Sequence, residues 1–173
     1  MAGPAFTVKS RPGDNLILHK ALDLAEPGDV IVVDAGGDLT NSLLGELMAA
    51  HAEARKLGGV VLNGAIRDYA SIRQGRFPVF AAGVTHRGPY KEGPGEINVP
   101  IAIDGMVIEP GDLMLGDEDG LVCVPRLAAE EIYAASKAKH ESEEVQLKAI
   151  KEGKSDRSWV DERLKELGYV FRD

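Results

Sequence analysis

The sequence of 173 residues predicts an α/β fold in which strands and helices alternate before a region of short hairpins. Two continuous apolar runs, at residues 30–33 and 60–62, are bounded by turn residues, which is typical of strands buried on both faces. A segment with helical spacing precedes each run. From Val99 the apolar period changes to two, which predicts short antiparallel strands.

The predicted elements follow one another with turn residues between them. The pattern predicts strands at residues 5–9, 30–33, 60–62, 78–82, 99–103, 106–108, 113–115 and 121–124. It predicts helices at residues 16–25, 69–75 and 127–151, and a last helix capped by Ser155 or Asp156. Another helix is expected to be capped by Thr40, Asn41 or Ser42 and to run to about Leu57, where a Gly-Gly pair stops it. Residues 83–98 are expected to form a long loop.

Composition and charge narrow the classes of function. The chain has 20 basic and 28 acidic residues, a net charge of −8, and no dense run of Lys or Arg, which argues against nucleic-acid binding. No apolar stretch approaches the roughly 18–20 residues that cross a bilayer, and no signal peptide is visible, so we expect a cytoplasmic protein. The single cysteine, Cys123, lies in an apolar run and is expected to be a small core side chain rather than a catalytic thiol.

Residues 45–68 contain the strongest candidate site. Arg67 and Asp68 follow a predicted buried strand, and α/β proteins place ligands at the carboxyl ends of such strands. Glu46 stands at the start of the preceding helix, which should begin at the same sheet edge because it runs antiparallel to the strands. The amides of Leu47 and Met48, at that helix start, are suited to bind a substrate carboxylate.

Purely structural explanations of these charges stay open at this stage. Adjacent Arg67 and Asp68 are also what an ordinary surface ion pair looks like, and such pairs contribute little to stability. Glu46 in a first helical turn is favourable through the helix dipole without any function.

Other residue patterns are weaker. Loop residues 34–38 follow a buried strand and contain two acids and two glycines, which keeps a methyltransferase that uses S-adenosylmethionine as a minor hypothesis. The loop has no nucleotide-binding glycine motif, and Asp38 would repel a phosphate. The four histidines are scattered without metal-ligand spacing, so we expect no zinc site. His86 and Arg87 are either contacts for an anionic ligand or part of an exposed polar loop.

Several segments together resemble one known family. They are residues 3–8, 27–34, 45–47, 64–68, 98–101, 110–112 and 116–120, and the similarity extends to about Gly153. As a set they resemble the RraA-like family, which contains class II 4-hydroxy-4-methyl-2-oxoglutarate aldolases that also decarboxylate oxaloacetate, and regulators of ribonuclease activity. The resemblance implies a three-layer β/β/α swivelling-domain fold with C-terminal helices. It also implies a homotrimer, or a hexamer of two trimers, with active sites between subunits.

The resemblance assigns roles to the candidate residues. It implies that Asp68 binds a divalent cation, Mg²⁺ or Mn²⁺, and that Arg67 stabilises the oxygen of a pyruvate enolate. The amides of Leu47 and Met48 would hold the pyruvyl carboxylate. Glu46 occupies a position where the family signature has aspartate, and would position a water for proton transfer.

A neighbouring subunit is expected to complete the site. The resemblance matches Glu143 to a glutamate that approaches the metal from that subunit, with Glu141 and Glu144 as rivals. A solvated charge on an exposed helix face is the competing interpretation.

We expect residues 1–126 to form the RraA-like domain and residues 127–173 a helical extension, packed on that domain or on a neighbouring subunit. Family members usually begin some tens of residues earlier, so a leading portion is expected to be missing. The leading functional hypothesis is a metal-dependent lyase, a pyruvate aldolase and oxaloacetate decarboxylase, that cleaves small 2-oxo dicarboxylic acids. The alternative is a regulator that binds a ribonuclease and has no important catalysis.

Overall fold

The computed structural model describes residues 1–170 and divides the chain into two compact units. The first, here called the sheet unit, comprises residues 1–129. The second, here called the helical unit, begins at Glu130. Within the described residues, no helix is long and apolar enough to cross a membrane.

An eight-stranded sheet forms the centre of the sheet unit. Its order is β10-β9-β1-β2-β4-β3, with β5 paired to β4 and β6 paired to β1, while β7 and β8 form a separate two-stranded sheet. The strands are β1 Ala2–Ser10, β2 Val30–Asp34, β3 Ser42–Leu44, β4 Gly59–Ile66, β5 Val79–Val84, β6 Gly95–Ile97, β7 Ile101–Ile103, β8 Met106–Ile108, β9 Leu113–Asp117 and β10 Gly120–Val124. The helices of this unit are α1 Leu16–Leu24, α2 Glu46–Ala54 and α3 Tyr69–Gln74.

The large sheet separates two apolar cores. Successive side chains of a strand point to opposite faces, and in β2 Ile31 and Val33 belong to one core while Val30 and Val32 belong to the other. The first core also contains the buried residues of α1 and α2, and the second contains Ile101 and side chains from the hairpin of β7 and β8. A hairpin layer, a sheet and a helix layer thus stack in order, which confirms the predicted β/β/α class.

β4 brings the ends of two strands together. Residues 59–63 of β4 pair with β2. Beyond the end of β2, residues 65 and 66 of β4 pair with β3 along the same edge. Leu44 at the end of β3 is paired with Ile66 at the end of β4, and both strands run in parallel. The residues that follow each strand, beginning at Gly45 and Arg67, therefore leave the sheet side by side.

The helix predicted from a cap at residues 40–42 begins later than expected. The prediction was wrong because Ser42–Leu44 pairs with β4 as a strand, and Gly45 is extended at φ −132° and ψ −173°, so α2 starts at Glu46. The helix also ends before the Gly-Gly pair: it stops at Ala54, and Gly59 is already the first residue of β4.

Two further predictions needed correction. β4 continues through Asn63 and Gly64, beyond the strand predicted at residues 60–62; a Cβ at Gly64 would lie 2.9 Å from Leu43 Cδ1, so this glycine provides room for close packing inside the sheet. The loop predicted at residues 83–98 contains β6, which pairs antiparallel with β1. The predictions at residues 16–25, 30–33, 69–75, 99–103 and 106–108 are confirmed within a residue or two.

Cys123 lies on β10 and is partly buried. Its Sγ is 3.7 Å from Asp112 Oδ2. Burial, together with the neighbouring Asp112 carboxylate, raises the pKa of the Cys123 thiol to about 11. The thiol is therefore protonated at neutral pH, as the sequence prediction of a non-catalytic cysteine requires.

The helical unit consists mainly of two helices. A short 3-10 turn, Arg126–Ala128, precedes α4 Ala129–Lys151, and α5 Ser158–Glu166 follows. The cap position of α5 is Arg157, so the predicted cap by Ser155 or Asp156 was wrong; Asp156 Oδ1 accepts the N–H of Ser158 from one residue before the cap. No side chain of α4 or α5 is buried. Of the extension predicted at residues 127–173, the last three residues lie outside the described part.

Candidate active site

The backbone fixes Arg67 and Asp68 at the carboxyl end of β4. The N–H of Arg67 donates to the carbonyl oxygen of Leu44 at 2.9 Å, which ties the end of β4 to the end of β3. Asp68 adopts a left-handed conformation with φ 55° and ψ 35°, which is uncommon for a residue other than glycine and is best tolerated by Asn and Asp. This turn directs the chain into α3 and aims the Asp68 carboxylate back at α2.

The Asp68 carboxylate connects the two chain segments. Its Oδ2 accepts the N–H of Glu46 at 3.0 Å and lies 3.6 Å from Arg67 Nε. The side chains of Arg67 and Asp68 are 46% and 42% exposed, so solvent screens their attraction and the ion pair by itself contributes little to stability. The hydrogen bond to the start of α2 is what gives Asp68 a defined position.

Gly45 is at the point of closest approach between these segments. A Cβ there would lie 2.5 Å from Asp68 Oδ2 and 2.9 Å from Arg67 Nε, closer than real Cβ contacts. Any side chain at this position would displace the charged pair. The resemblance had singled out Gly45 only as part of a motif, and the structure gives the physical reason for a glycine.

Arg67 shares a cavity with the start of α2. This cavity, called here the Arg67 cavity, has a volume of about 220 Å³, and Leu47, Met48 and Arg67 are among the residues that line it. At the second position of the helix, the Leu47 N–H has no intrahelical acceptor. The Met48 N–H already donates to the carbonyl oxygen of Gly45 at 3.1 Å, so a ligand there would share it.

The side chain of Glu46 lies elsewhere. It lines a separate cavity of about 200 Å³ between α2 and α3, together with Glu53, Ser71 and Phe77 among others. The backbone of Glu46 contacts Asp68, but Glu46 is not among the residues that line the Arg67 cavity. The structure thus brings Leu47, Met48 and Arg67 into one cavity, places Asp68 beside them, and directs Glu46 toward α3.

Arg67 also faces an open depression on its other side. Asp68, Val84, Thr85 and His86 line this depression, which has a volume of about 300 Å³. Arg67 therefore reaches two neighbouring spaces, and Asp68 lines only the open one. His86, one of the two loop residues considered for anion contact, lies here.

Sequence reasoning missed three polar residues of the Arg67 cavity. Asn15, His19 and Lys91 line it, and they come from the turn before α1, from α1 and from the segment before β6. Lys91 Nζ donates to Asn15 Oδ1 at 2.9 Å and lies 3.1 Å from His19 Nε2. Sequence reasoning could not connect Lys91 to the other two, because it lies more than 70 residues from both. Asn15 and His19 by themselves look like a polar turn followed by a histidine one helical turn later.

The residues beside Arg67 fit a hard divalent cation of the Mg²⁺ type. Among the described residues, no group of three or more His, Cys, Asp or Glu side chains is arranged to hold a metal. Asp68 supplies one half-exposed carboxylate. Mg²⁺ is usually bound through one or two carboxylates while it keeps several waters, whereas structural zinc sites need about four protein ligands. One carboxylate is enough for a hydrated Mg²⁺ or Mn²⁺ and too few for structural zinc, and the metal assignment stays a prediction.

Glu143 lies on α4 in the helical unit. Its carboxylate pairs with Lys139 Nζ at 3.2 Å, one helical turn earlier, and both side chains are at least half exposed. Its rival Glu144 lies 3.6 Å from His140 Nε2. These are ordinary helix-surface pairs, and the role of Glu143 in a neighbouring site stays a prediction.

The loop of residues 34–38 is closed by its own hydrogen bonds. The Gly36 N–H donates to Asp34 Oδ1, and the Gly37 N–H donates to the carbonyl oxygen of Asn63. Asp38 accepts hydrogen bonds from the Thr40 hydroxyl. The glycine amides that a nucleotide-like ligand would require are thus already engaged, and this disfavours the methyltransferase hypothesis.

Two proteins that are similar in sequence to this chain are named as aldolases. The chain is 41% identical over 150 residues to a Halalkalibacterium halodurans protein that is provisionally named a 4-hydroxy-4-methyl-2-oxoglutarate aldolase; the match covers 87% of this chain and 71% of the relative. It is 38% identical over 112 residues to a Thermus thermophilus protein named 4-hydroxy-4-methyl-2-oxoglutarate aldolase, a match that covers 65% of this chain and 68% of the relative.

Solved structures with the same fold carry other names. The RNA-processing inhibitor RraA from Thermus thermophilus matches with a TM-score of 0.68 and 37% identity, over 72% of this chain and 75% of that one. A Geobacillus kaustophilus protein described as an S-adenosylmethionine:2-dimethylmenaquinone methyltransferase matches with a TM-score of 0.69 and 37% identity, over 72% of this chain and 76% of that one.

The family model RraA-like, described as Aldolase/RraA, matches residues 1–123, and these residues contain both strand ends that form the Arg67 cavity. The matched region also contains the Arg67-Asp68 pair and the glycine that packs against it. The chain belongs to the RraA-like (Aldolase/RraA) family.

Proposed function

We propose that the chain is a divalent-metal-dependent lyase of the class II pyruvate aldolase type, which cleaves 4-hydroxy-4-methyl-2-oxoglutarate and related 2-oxo dicarboxylic acids and also decarboxylates oxaloacetate. The aldolase names of two relatives support this assignment. The observation that carries it is the shared cavity, in which the helix start at Leu47 and Met48 faces the Arg67 side chain beside Asp68.

Substrate binding begins at the start of α2. The first N–H groups of a helix carry partial positive charge and lack intrahelical acceptors, so a carboxylate is stabilised there. The Leu47 N–H donates to the carboxylate next to the keto group, with the Met48 N–H shared between Gly45 and the ligand. The keto oxygen would then face Arg67, which lines the same cavity.

Arg67 stabilises the charge that develops during cleavage. In the retro-aldol reaction the 4-hydroxyl loses its proton, the C3–C4 bond breaks, and its electrons move into a pyruvate enolate. In the decarboxylation of oxaloacetate, loss of CO₂ leaves the same enolate. The Leu44 contact fixes the backbone of Arg67, and Arg67 Nε lies 3.6 Å from Asp68 Oδ2, so the guanidinium starts from a defined position beside that oxyanion.

Asp68 would hold the divalent cation, with waters completing its coordination. When bound, such a cation supplies positive charge that polarises the keto group of the substrate. The hydrogen bond from the Glu46 N–H fixes one carboxylate oxygen of Asp68 and thereby orients the other. This assignment rests on the Asp68 carboxylate and on the family resemblance. Electron paramagnetic resonance can measure the affinity for Mn²⁺, which should weaken in Asp68→Asn and stay unchanged in Asp117→Asn.

Glu46 is the proposed proton-transfer residue at the rim. Its backbone is fixed beside Asp68, while its carboxylate turns toward α3. A glutamate is one methylene longer than the aspartate of the family signature, and we expect either carboxylate to act on the cavity through a bridging water. Glu46→Gln should slow exchange of the pyruvate methyl protons with D₂O by about 10²-fold or more, and Glu46→Asp should restore it.

The deciding experiment measures pyruvate release from both substrates. We expect activity with Mg²⁺ or Mn²⁺, loss of activity with EDTA, and recovery when the cation is restored. Equal rates with and without EDTA contradict metal dependence. Full activity of Arg67→Ala contradicts the proposed site.

The second candidate is a regulator that binds a ribonuclease. The structural match to the RNA-processing inhibitor RraA favours it. Capture of a ribonuclease by the purified chain, combined with no pyruvate release in the presence of Mg²⁺ or Mn²⁺, would favour this function over the lyase.

We also propose a cytoplasmic homotrimer, or a hexamer of two trimers, in which a glutamate of α4, Glu143 in the first instance, approaches the site of a neighbouring subunit. Light scattering should give three or six times the mass of one chain. Mixing Arg67→Ala with Glu143→Gln chains should restore part of the activity if the two residues act in one shared site, because some sites then receive both native residues.

A further inference from the structure

The Arg67 cavity contains a second cation besides Arg67. Lys91 lines it together with Arg67, and none of the described residues that line it is acidic. Its volume of about 220 Å³ corresponds to roughly seven water molecules at the density of liquid water. A cavity of this size and charge suits a small dianion better than a monoanion.

Two neighbours define the position of the Lys91 ammonium group. Nζ donates to Asn15 Oδ1 at 2.9 Å and lies 3.1 Å from His19 Nε2. A lysine ammonium has three donors, so these contacts leave one for a ligand. Partial burial, and then the adjacent Lys91 charge, lowers the pKa of His19 below its ordinary value. His19 is therefore largely neutral at pH 7, and its Nε2 is available to accept from Lys91.

Asn15 connects Lys91 to Leu43 and Met48, which also line the cavity. This residue is only 3% exposed. Its Nδ2 donates to the carbonyl oxygen of Leu43 at 2.8 Å and lies 3.4 Å from Met48 Sδ, while its Oδ1 accepts from Lys91. Both polar atoms of the buried Asn15 amide are thus hydrogen-bonded, Nδ2 to Leu43 and Oδ1 to Lys91.

The turn that contains Asn15 also holds the segment on which Lys91 lies. Asp14 Oδ2 accepts the N–H groups of Glu92 and Gly93, both at 2.7 Å. The Asn15 N–H donates to the carbonyl oxygen of Tyr90. Residues on both sides of Lys91 are therefore fixed by one turn, so its exposed side chain starts from a defined backbone position.

We propose that Lys91, positioned by Asn15, is the residue that binds the second carboxylate of the substrate and makes the site selective for dicarboxylic over monocarboxylic 2-oxo acids. The inference rests on the proposed function, because it takes the first carboxylate to lie at the start of α2. A substrate that spans the cavity then meets Arg67 at its keto group and Lys91 at its far end. A monocarboxylic acid leaves the Lys91 charge without a partner.

The test compares two stable ligands. Pyruvate has one carboxylate, and 2-oxoglutarate has two; both are titrated calorimetrically into the full-length chain in the presence of Mg²⁺. Lys91→Met should weaken 2-oxoglutarate binding by about 10-fold to 100-fold, as expected for a lost hydrogen bond to a charged group, and pyruvate binding by less than about threefold. Lys91→Arg should restore most of the difference. Lys20→Met, which removes an exposed lysine of α1 beside His19, should change neither affinity.

A spectroscopic signal separates a specificity role from a structural one. Histidine NMR titration of the wild-type chain should show the His19 pKa rising when 2-oxoglutarate binds, because the bound carboxylate offsets the Lys91 charge, and changing less with pyruvate. Asp23 and His51, the other groups that act on His19, are unchanged between the two ligands. In Lys91→Met the ligand-dependent rise should disappear.

The outcomes separate the two proposals. If wild-type chain binds neither acid, the proposed function fails and this inference fails with it. If both acids bind and Lys91→Met weakens them equally, or weakens neither, the inference alone is overturned and the lyase proposal stands.

Discussion

The two units of this chain differ in how many of their side chains are buried. In the sheet unit, β2 has its first four residues buried and β4 all but one residue, and their side chains supply two cores. In the helical unit, α4 and α5 bury none, and Val145, Leu147, Ile150, Trp159 and Leu167 are all more than half exposed. The sheet unit has the interior of an independent domain, whereas the helical unit has apolar side chains suited to a further protein surface.

This contrast assigns different tasks to the two units. The proposed site lies at the ends of β3 and β4, where the pairing of Leu44 with Ile66 fixes the backbone. The two cores in turn hold these strands in position. The helical unit contributes exposed helices with charged and apolar side chains, which fits the assembly role proposed for it above. The following predictions test this division.

The largest expected effect is on stability. Leu62→Ala removes a side chain that is 2% exposed in the first core and should lower the free energy of unfolding by about 2–5 kcal/mol. Val145→Ala, at a position 72% exposed, should change it by less than about 0.5 kcal/mol. Urea unfolding of both variants measures the difference. A comparable loss in Val145→Ala would show that the helical unit is buried in the native assembly.

Next in size is the effect of removing Arg67. Arg67→Ala should reduce kcat for pyruvate release by about 10²-fold to 10³-fold, since it removes a donor to the developing oxyanion. Its melting temperature should stay close to wild type because the side chain is 46% exposed. Glu143→Gln, in the helical unit, should cost less. A greater loss in Glu143→Gln than in Arg67→Ala would reverse the division of tasks.

A smaller effect is expected from a single methyl group. Gly45→Ala should reduce kcat by about 10-fold to 100-fold, because its Cβ would displace Asp68 and Arg67. Gly88→Ala is the matched control, since its Cβ would lie 3.7 Å from Arg67 Nη1, an ordinary contact. Steady-state kinetics of both variants, with melting temperatures, decides the matter. Equal rates in the two variants would mean that the site tolerates movement of its charged pair.

The smallest expected effect is on acid stability. Burial alone would raise the pKa of Asp14, but hydrogen bonds from the N–H groups of Leu16, Glu92 and Gly93 outweigh it and lower the pKa below its ordinary value. A carboxyl with a lowered folded-state pKa stabilises the protein above its unfolded pKa, near 4, and this contribution is lost as the pH falls through the folded pKa. The free energy of unfolding of wild type, measured with urea, should therefore fall between about pH 5 and about pH 3. The fall should be smaller in Asp14→Asn, which lacks the titrating carboxyl.

The same experiment compares the units. Asp156 in the helical unit also has a lowered pKa, from hydrogen bonds with the backbone and side chain of Ser158, but it is fully exposed. Asp156→Asn should leave the pH dependence of global unfolding almost unchanged. A pH dependence abolished by Asp156→Asn instead of Asp14→Asn would contradict the difference in burial between the units.

Local patterns predicted the elements with clear boundaries. Residues 30–33 form a continuous apolar run between turns, and no alternative structure competes with a buried strand there. Ser42 illustrates the opposite case, because a serine before a helical pattern is also a good cap. Its place in β3 depends on β4, more than twenty residues later, and a pairing over that distance has no local signal.

The candidate site divides in the same way. Arg67, Asp68 and the start of α2 were predictable because one strand and one helix connect them along the chain. Lys91 and Asn15 were not, because the contact between them joins residues 76 positions apart through a turn and a loop that each look like ordinary connections. The side-chain direction of Glu46 was also beyond prediction, since it depends on which of two adjacent cavities the rotamer fills.

The single cysteine gives the chain a practical property. Because Cys123 is the only cysteine in the sequence and its thiol titrates at about 11, thiol reagents at pH 7 should react with it slowly. A cysteine introduced at an exposed position, such as Lys137 on α4, can therefore be labelled selectively without removing the native one. Spin labels placed in this way on identical chains would report distances between chains, and so test the homo-oligomer proposed above.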